Sequence, residues 1–149
     1  MNLRLSLLEG DPLRDEWITR PFTHDPGFND SWWLGNVKGP LVFGSFRTTD
    51  GQVEVARAQI RPHSTTGVAY PTYTRAHLDS TEIDLLEVRT DLQGRGLGHE
   101  VVDLLRVELP LPYIALSLDE RSDHFWRSLG WIEYPHPNER GRALFVNPN

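Results

Sequence analysis

The chain has 149 residues, a length suited to one domain around one core, and its 38% hydrophobic and 24% charged residues describe a globular protein. Five Trp and six Phe argue against wholesale disorder, while the absence of Cys excludes disulfides, thiolate metal sites and a cysteine nucleophile. A formal charge of −6 disfavours broad, phosphate-driven nucleic-acid binding. No apolar run approaches the roughly 20 residues that span a bilayer, and Met1 to Glu9 lacks the h-region of a signal peptide. The expectation is a cytoplasmic protein with no membrane or nucleic-acid partner.

Leu3, Leu5 and Leu7 alternate with Arg4 and Ser6, the period of a strand with one buried face. Asp15 to Ile18 and Asn29 to Leu34 read as short helical pieces, separated by Pro21, Pro26 and Gly27. Leu41 to Thr48 and Gln52 to Ile60 are rich in β-formers and flank Asp50-Gly51, which predicts a hairpin. Arg61 to Ser80 carries Pro62, Gly67, Pro71 and His77 and is longer than an ordinary connection; it reads either as a binding wall or as a disordered excursion.

Glu82 to Arg89 reads as a strand that runs into a glycine loop. Beyond it Leu97, Val101, Leu104, Leu105 and Glu108 mark one face of an amphipathic helix, stopped by Pro110 and Pro112. Tyr113 to Leu118 forms another strand, and Asp119 can cap a helix that ends at Gly130. Trp131 to Tyr134 and Ala143 to Val146 can close as a β pair around the turn-rich Pro135 to Gly141. This order of elements defines an α+β or mixed α/β fold in a single domain, residues 1–149.

The chemistry concentrates in Gln93-Gly94-Arg95-Gly96-Leu97-Gly98. A strand that runs into glycines opening a helix presents backbone N–H groups, backed by the helix dipole, to an anion. A P-loop is excluded because no Gly-Lys pair exists in the chain, and a dinucleotide fingerprint is excluded because His99 stands where its third glycine is required. What remains is the pattern Gln/Arg-x-x-Gly-x-Gly/Ala, matched by Gln93, Gly96 and Gly98. Downstream, Phe125-Trp126-Arg127-Ser128-Leu129-Gly130-Trp131 is similar to a Phe-Tyr-x-x-Leu-Gly-Phe helix ending.

Together these segments resemble the GNAT superfamily of acetyl-CoA-dependent N-acetyltransferases, most strongly from Glu82 to Tyr134. The resemblance implies a central, mostly antiparallel sheet of about six to seven strands flanked by helices. It also implies acetyl-CoA as co-substrate. Pantetheine would pair with the backbone of Leu86 to Arg89, with Val88 central, and the amides of Gly94 to Gly98, Leu97 included, would hold the pyrophosphate. Arg95 either adds charge there or is an ordinary exposed arginine.

An amine would attack directly in a ternary complex. In that mechanism the Val88 amide is the candidate oxyanion donor and Glu82 the candidate base, with Asp84 and Glu87 as neighbouring alternatives. Trp126 stands where many family members carry an acidic tyrosine, and indole is far too weak an acid to replace it. Ser117, Tyr134 or a loop tyrosine could take over, or water could assist the departing thiolate. Asp119 stands where an asparagine often contacts the cofactor; its other reading is a helix cap.

The six His are scattered and no two share i, i+4 spacing, so no metal is expected. Three functions compete. The first is an acetyltransferase acting on a primary amine of a small molecule or a peptide. The second is an acyl-CoA-binding protein without turnover. The third, an aminoacyl-tRNA-acetylating toxin, is disfavoured by the negative charge. Monomer and homodimer are both compatible with the sequence.

Overall fold

Short β-rich stretches punctuated by turn residues become strands throughout the computed structural model, which describes residues 2–73, 80–109, 112–138 and 141–148. In chain order the elements are β1 (Leu3–Leu8), β2 (Trp17–Thr19), α1 (Asp30–Trp33), β3 (Asn36–Lys38), β4 (Val42–Thr48), β5 (Glu54–Ser64), β6 (Ser80–Val88), α2 (Leu97–Glu108), β7 (Tyr113–Leu116), α3 (Glu120–Ser128), β8 (Ile132–Tyr134) and β9 (Leu144–Val146). The chain divides into two compact units, Met1–Arg61 with Leu85–Leu109, and Pro62–Asp84 with Pro110–Asn149.

The first unit pairs β1 antiparallel to β4, from Leu3↔Thr48 to Leu8↔Phe43, and β4 antiparallel to β5. The β4–β5 turn is the Asp50-Gly51 hairpin: Gly51 takes φ +76°, and Asp50 Oδ1 accepts from Thr48 Oγ1 at 2.6 Å and from the Gln52 amide at 3.0 Å. Helix α2 packs on β1 through a face whose buried residues are Leu97, Val101, Val102 and Leu105. Phe22, Phe28, Trp33, Leu41 and Phe43 form a second cluster, against which Leu8, Ile18, Val37 and Leu85 pack. Trp33 is fully buried, with its ring edge-on to Phe22 at 5.2 Å.

In the second unit β6 lies parallel to β7 from Thr81↔Tyr113 to Ile83↔Ala115. β9 is antiparallel to both β7 and β8. Tyr70, Tyr73, Ile114, Leu144 and Val146 are its core, joined by Leu116 and Tyr134. The strand order is β1-β4-β5-β6-β7-β9-β8 in a seven-stranded, mostly antiparallel sheet.

Three local expectations change. Trp17-Ile18 is strand, not helix: Trp17↔Lys38, Ile18↔Val37 and Thr19↔Asn36 form a two-stranded ladder. A short segment rich in Trp, Ile and Thr with Pro21 just beyond cannot nucleate a helix, but it can bury Ile18 by pairing. In β1, Leu7 is 48% exposed while Leu8 packs on the core, so the leucine alternation breaks at the strand end. The connection after Ile60 is structured at its start: β5 runs on to Ser64, a 3-10 turn follows at Thr66–Ala69, and Tyr70 and Tyr73 are buried. Residues 74–79, His77 among them, lie outside the described residues, as do Pro110 and residues 139–140 of the expected turn. Among the described residues no helix is long and apolar enough to cross a membrane, and no group of three or more His, Asp or Glu is placed to hold a metal.

Candidate functional site

The glycine loop is built by two left-handed residues. After Val88 the chain makes a 3-10 turn at Thr90–Leu92, and Gln93 turns its side chain back so that Nε2 donates to Val88 O at 2.9 Å. Gly94 takes φ +80° and Gly96 φ +76°, and Gly96 is the N-cap of α2. A Cβ at either glycine would meet no heavy atom within 4 Å. Glycine is therefore required here by the backbone angle, not by crowding, and both positions open onto empty space. Arg95 is exposed between them, and Leu97 behind them is buried, which fixes the helix start against the core. The first amides of α2 thus emerge at an exposed turn, the arrangement that suits an anion.

The strand leading into this loop is held from the side. Arg89 Nη1 and Nη2 donate to Asp25 Oδ1 and Oδ2 at 2.9 and 2.5 Å, and Arg89 Nε donates to Glu54 O at 2.8 Å. The Thr90 amide donates to Gly27 O at 3.0 Å. Gly27 has no room for a side chain, since a Cβ would lie 2.2 Å from Arg89 Nη1. The paired guanidinium holds the Asp25 carboxyl below its ordinary range, and the carboxylate in turn raises Arg89. Leu86 and Val88, the expected cofactor-facing strand, are half-buried, and β6 continues to Val88 beyond its last rung with β7 at Ile83.

The three candidate carboxylates have separate surroundings. Glu82 is only 5% exposed, and its Oε1 accepts from Ser64 Oγ and from Thr66 Oγ1, each at 2.6 Å. Asp84 is half-buried. Glu87 is occupied by the first unit's core: its Oε1 accepts from Trp33 Nε1 at 2.8 Å and from the Asn29 amide at 2.9 Å. Trp33 therefore serves packing and orients Glu87.

The candidate acids are likewise engaged. Ser117 is buried, with Oγ donating to Asp119 O at 2.9 Å. Tyr134 packs on the second unit's core with its ring 5.2 Å from Tyr73. Trp126 is 5% exposed, 4.7 Å from Trp131 and 4.9 Å from Phe125. Asp119 is the N-cap of α3, its Oδ1 accepting from the Ser122 amide at 2.9 Å; that backbone hydrogen bond first, and Ser122's side chain further, keep its carboxyl low.

Ser64, Thr66, Asp25 and the buried Glu54–Arg57 pair were not singled out from sequence. Arg57 Nη2 and Nε lie 2.9 and 3.1 Å from Glu54 Oε1, and the guanidinium stacks over Phe28 at 4.3 Å and Phe22 at 4.8 Å. Spacing carries no signal for this pair, because residues i and i+3 face opposite sides of a regular strand; the β4–β5 register shifts between Phe46 and Arg47, opposite this part of β5.

No protein-family model matches the sequence, and no curated protein matches it by sequence. The fold is nevertheless similar to solved structures. An acetyltransferase from Thermus thermophilus superposes with a TM-score of 0.54 at 18% identity, over 73% of this chain and 64% of that protein. The Bacillus subtilis N-acetyltransferase YlbP in complex with coenzyme A gives 0.52 at 19% identity, over 70% of this chain and 66% of that one. The KacTA–DNA complex gives 0.57 at 14% identity, over 97% of this chain and 93% of its matched chain. This chain thus spans about two thirds of the length of the first two, and nearly all of the third. The sheet and its helices have the GNAT acetyltransferase fold.

Proposed function

We propose that this protein binds acetyl-CoA and transfers the acetyl group to a primary amine of a small molecule or a peptide. The observation that carries the reading is the exposed Gly94/Gly96 turn, two left-handed residues between the end of β6 and the start of α2, where a helix's first amides lack intrahelical partners. The pyrophosphate would sit on the amides from Gly94 to Gly98, and pantetheine would pair with the backbone of Leu86 to Arg89, with Val88 central. The acetyl-transferring fold neighbours, one of them holding coenzyme A, support that ligand. All 149 residues would serve as a single acetyltransferase domain.

The amine must be neutral to attack. Glu82 is the best-placed base because it is buried yet retains two hydroxyl partners, whereas Glu87 is committed to Trp33 and Asn29. Attack on the thioester carbonyl forms the C–N bond; the oxyanion would be held by the Val88 amide, and collapse releases the CoA thiolate. Tyr134 and Ser117 remain the candidate proton donors to that thiolate. With net charge −6 the proposed partners are acetyl-CoA and an amine, not nucleic acid.

Trp126 favours a second reading. Its indole is buried between aromatic neighbours, so the helix position that many GNAT enzymes give to an acidic tyrosine offers no proton here. On that reading the protein holds acyl-CoA without turnover. Acetyl-CoA should raise the melting temperature under both readings. Release of free CoA with lysine, glycinamide or a short peptide occurs only if the protein is an enzyme; its absence with every amine leaves the binding function alone.

A further inference from the structure

Glu82 is buried in the second unit, and beside it lies an open cleft of about 330 Å³ whose lining includes Thr66, Tyr70, Leu116, His136 and Arg142. Of these, Thr66 reaches the carboxylate by a hydrogen bond: its Oγ1 lies 2.6 Å from Glu82 Oε1. Ser64, the other hydroxyl on Oε1, is 3% exposed and lies 3.0 Å from Thr66 Oγ1. The Thr66 amide is itself anchored on Ser64 Oγ at 3.1 Å. The hydroxyl is thus fixed on the carboxylate at the start of the 3-10 turn, on a residue that lines the cleft.

We propose that Thr66 is a proton relay between an amine in this cleft and the buried Glu82. The inference rests on the reading of Glu82 as the base. In the relay an incoming ammonium gives one N–H proton to Thr66 Oγ1 as the Thr66 hydroxyl proton passes to Glu82 Oε1. The amine becomes neutral, Glu82 becomes neutral, and Thr66 is unchanged. The amine lone pair then forms the C–N bond to the acetyl carbon, the C–S bond breaks with its electron pair on sulfur, and the surplus amine proton leaves with the thiolate. The side-chain oxygen is essential because a hydroxyl both donates and accepts, which a methyl group cannot do.

The test uses the full chain with acetyl-CoA and whichever of lysine, glycinamide or a short peptide releases CoA fastest. Thr66→Val keeps the shape and removes the hydroxyl; Thr66→Ser keeps the hydroxyl. The expected result is a fall in kcat of about 30-fold or more for Thr66→Val, approaching the range removed with a general base. Acetyl-CoA affinity should be retained, and Thr66→Ser should recover to within about threefold of the parent. The solvent deuterium isotope effect on kcat should be altered in Thr66→Val and restored in Thr66→Ser. If Thr66→Val fails to fold, Thr66→Ala is held to the same criterion. A Thr66→Val or Thr66→Ala enzyme with parental kcat, alongside an inactive Glu82→Gln, overturns the relay and spares the base. Full activity in Glu82→Gln overturns the base and the relay with it, and no CoA release with any amine overturns the enzyme reading beneath both.

Discussion

Arg89 grips Asp25 with both terminal nitrogens, one on each carboxylate oxygen, across 64 positions of sequence. The pair ties the segment before α1 to the end of β6, ahead of the glycine loop. Hydrogen bonds from a charged group are worth about 1.5–3 kcal/mol, so Asp25→Asn should destabilise the protein at neutral pH by about 2 kcal/mol. The pH dependence has a definite sign. Folding lowers the Asp25 carboxyl below 3.8, with the Arg89 hydrogen bond the largest cause, so its stabilisation is complete above that value and lost as pH falls through the folded value. The gap between parent and Asp25→Asn in urea midpoint should be wide at neutral pH and should narrow in acid, as the carboxyl protonates. A gap that stays constant with pH would show that the carboxylate charge is not what holds the segment.

The Glu54–Arg57 pair allows a sharper distinction. Both side chains are almost completely buried, and Ser45 Oγ adds a 2.5 Å hydrogen bond to Glu54 Oε2. Arg57→Met alone strands a buried carboxylate and should cost about 3–5 kcal/mol. Glu54→Leu with Arg57→Met removes both charges, and its cost should be much smaller than the single change. Equal losses in the single and double variants, read from chemical denaturation, would contradict that account.

At Gly96 the backbone and the proposed ligand make separable demands. A side chain has physical space there but not the angle, φ +76°. Gly96→Leu should therefore lower stability by only about 1–2 kcal/mol, the cost of a left-handed L-residue. Acetyl-CoA binding, measured by calorimetry, should nevertheless be lost, because the leucine side chain would fill the open space at the loop where the pyrophosphate is proposed to sit. Unchanged affinity in a folded variant removes this loop from the cofactor site.

Asp119 can be divided the same way. Asp119→Ala removes the N-cap of α3 and should lower the melting temperature, whereas Asp119→Asn keeps the acceptor and should leave it nearly unchanged. If the residue also touches the cofactor, Asp119→Asn will change acetyl-CoA affinity without changing the melting temperature. An effect on stability alone assigns it wholly to the cap.

What the sequence disclosed follows the range of the forces involved. The Asp50-Gly51 turn and the Gly94/Gly96 loop were legible because a positive φ is a demand made within one residue, and few residues but glycine meet it cheaply. Helix α2 was legible because its apolar period is local. Trp17-Ile18 was misread because its conformation is decided by pairing with Val37 and Lys38 on a different segment. Glu82 is named by the family resemblance, but its hydroxyl partners lie 16 and 18 positions away, beyond Ile60, where the expected hairpin strand ends. Asp25 carries no local signal, because its partner Arg89 lies 64 positions away and only the fold brings the two together.

The turn from Gln93 to Gly98 has one more implication. A docking surface made from peptide N–H groups presents the same donors whatever side chains the chain carries, so long as two dihedral angles survive. If the amides from Gly94 to Gly98 hold the proposed pyrophosphate, the exposed Arg95 could change over evolutionary time while recognition persists.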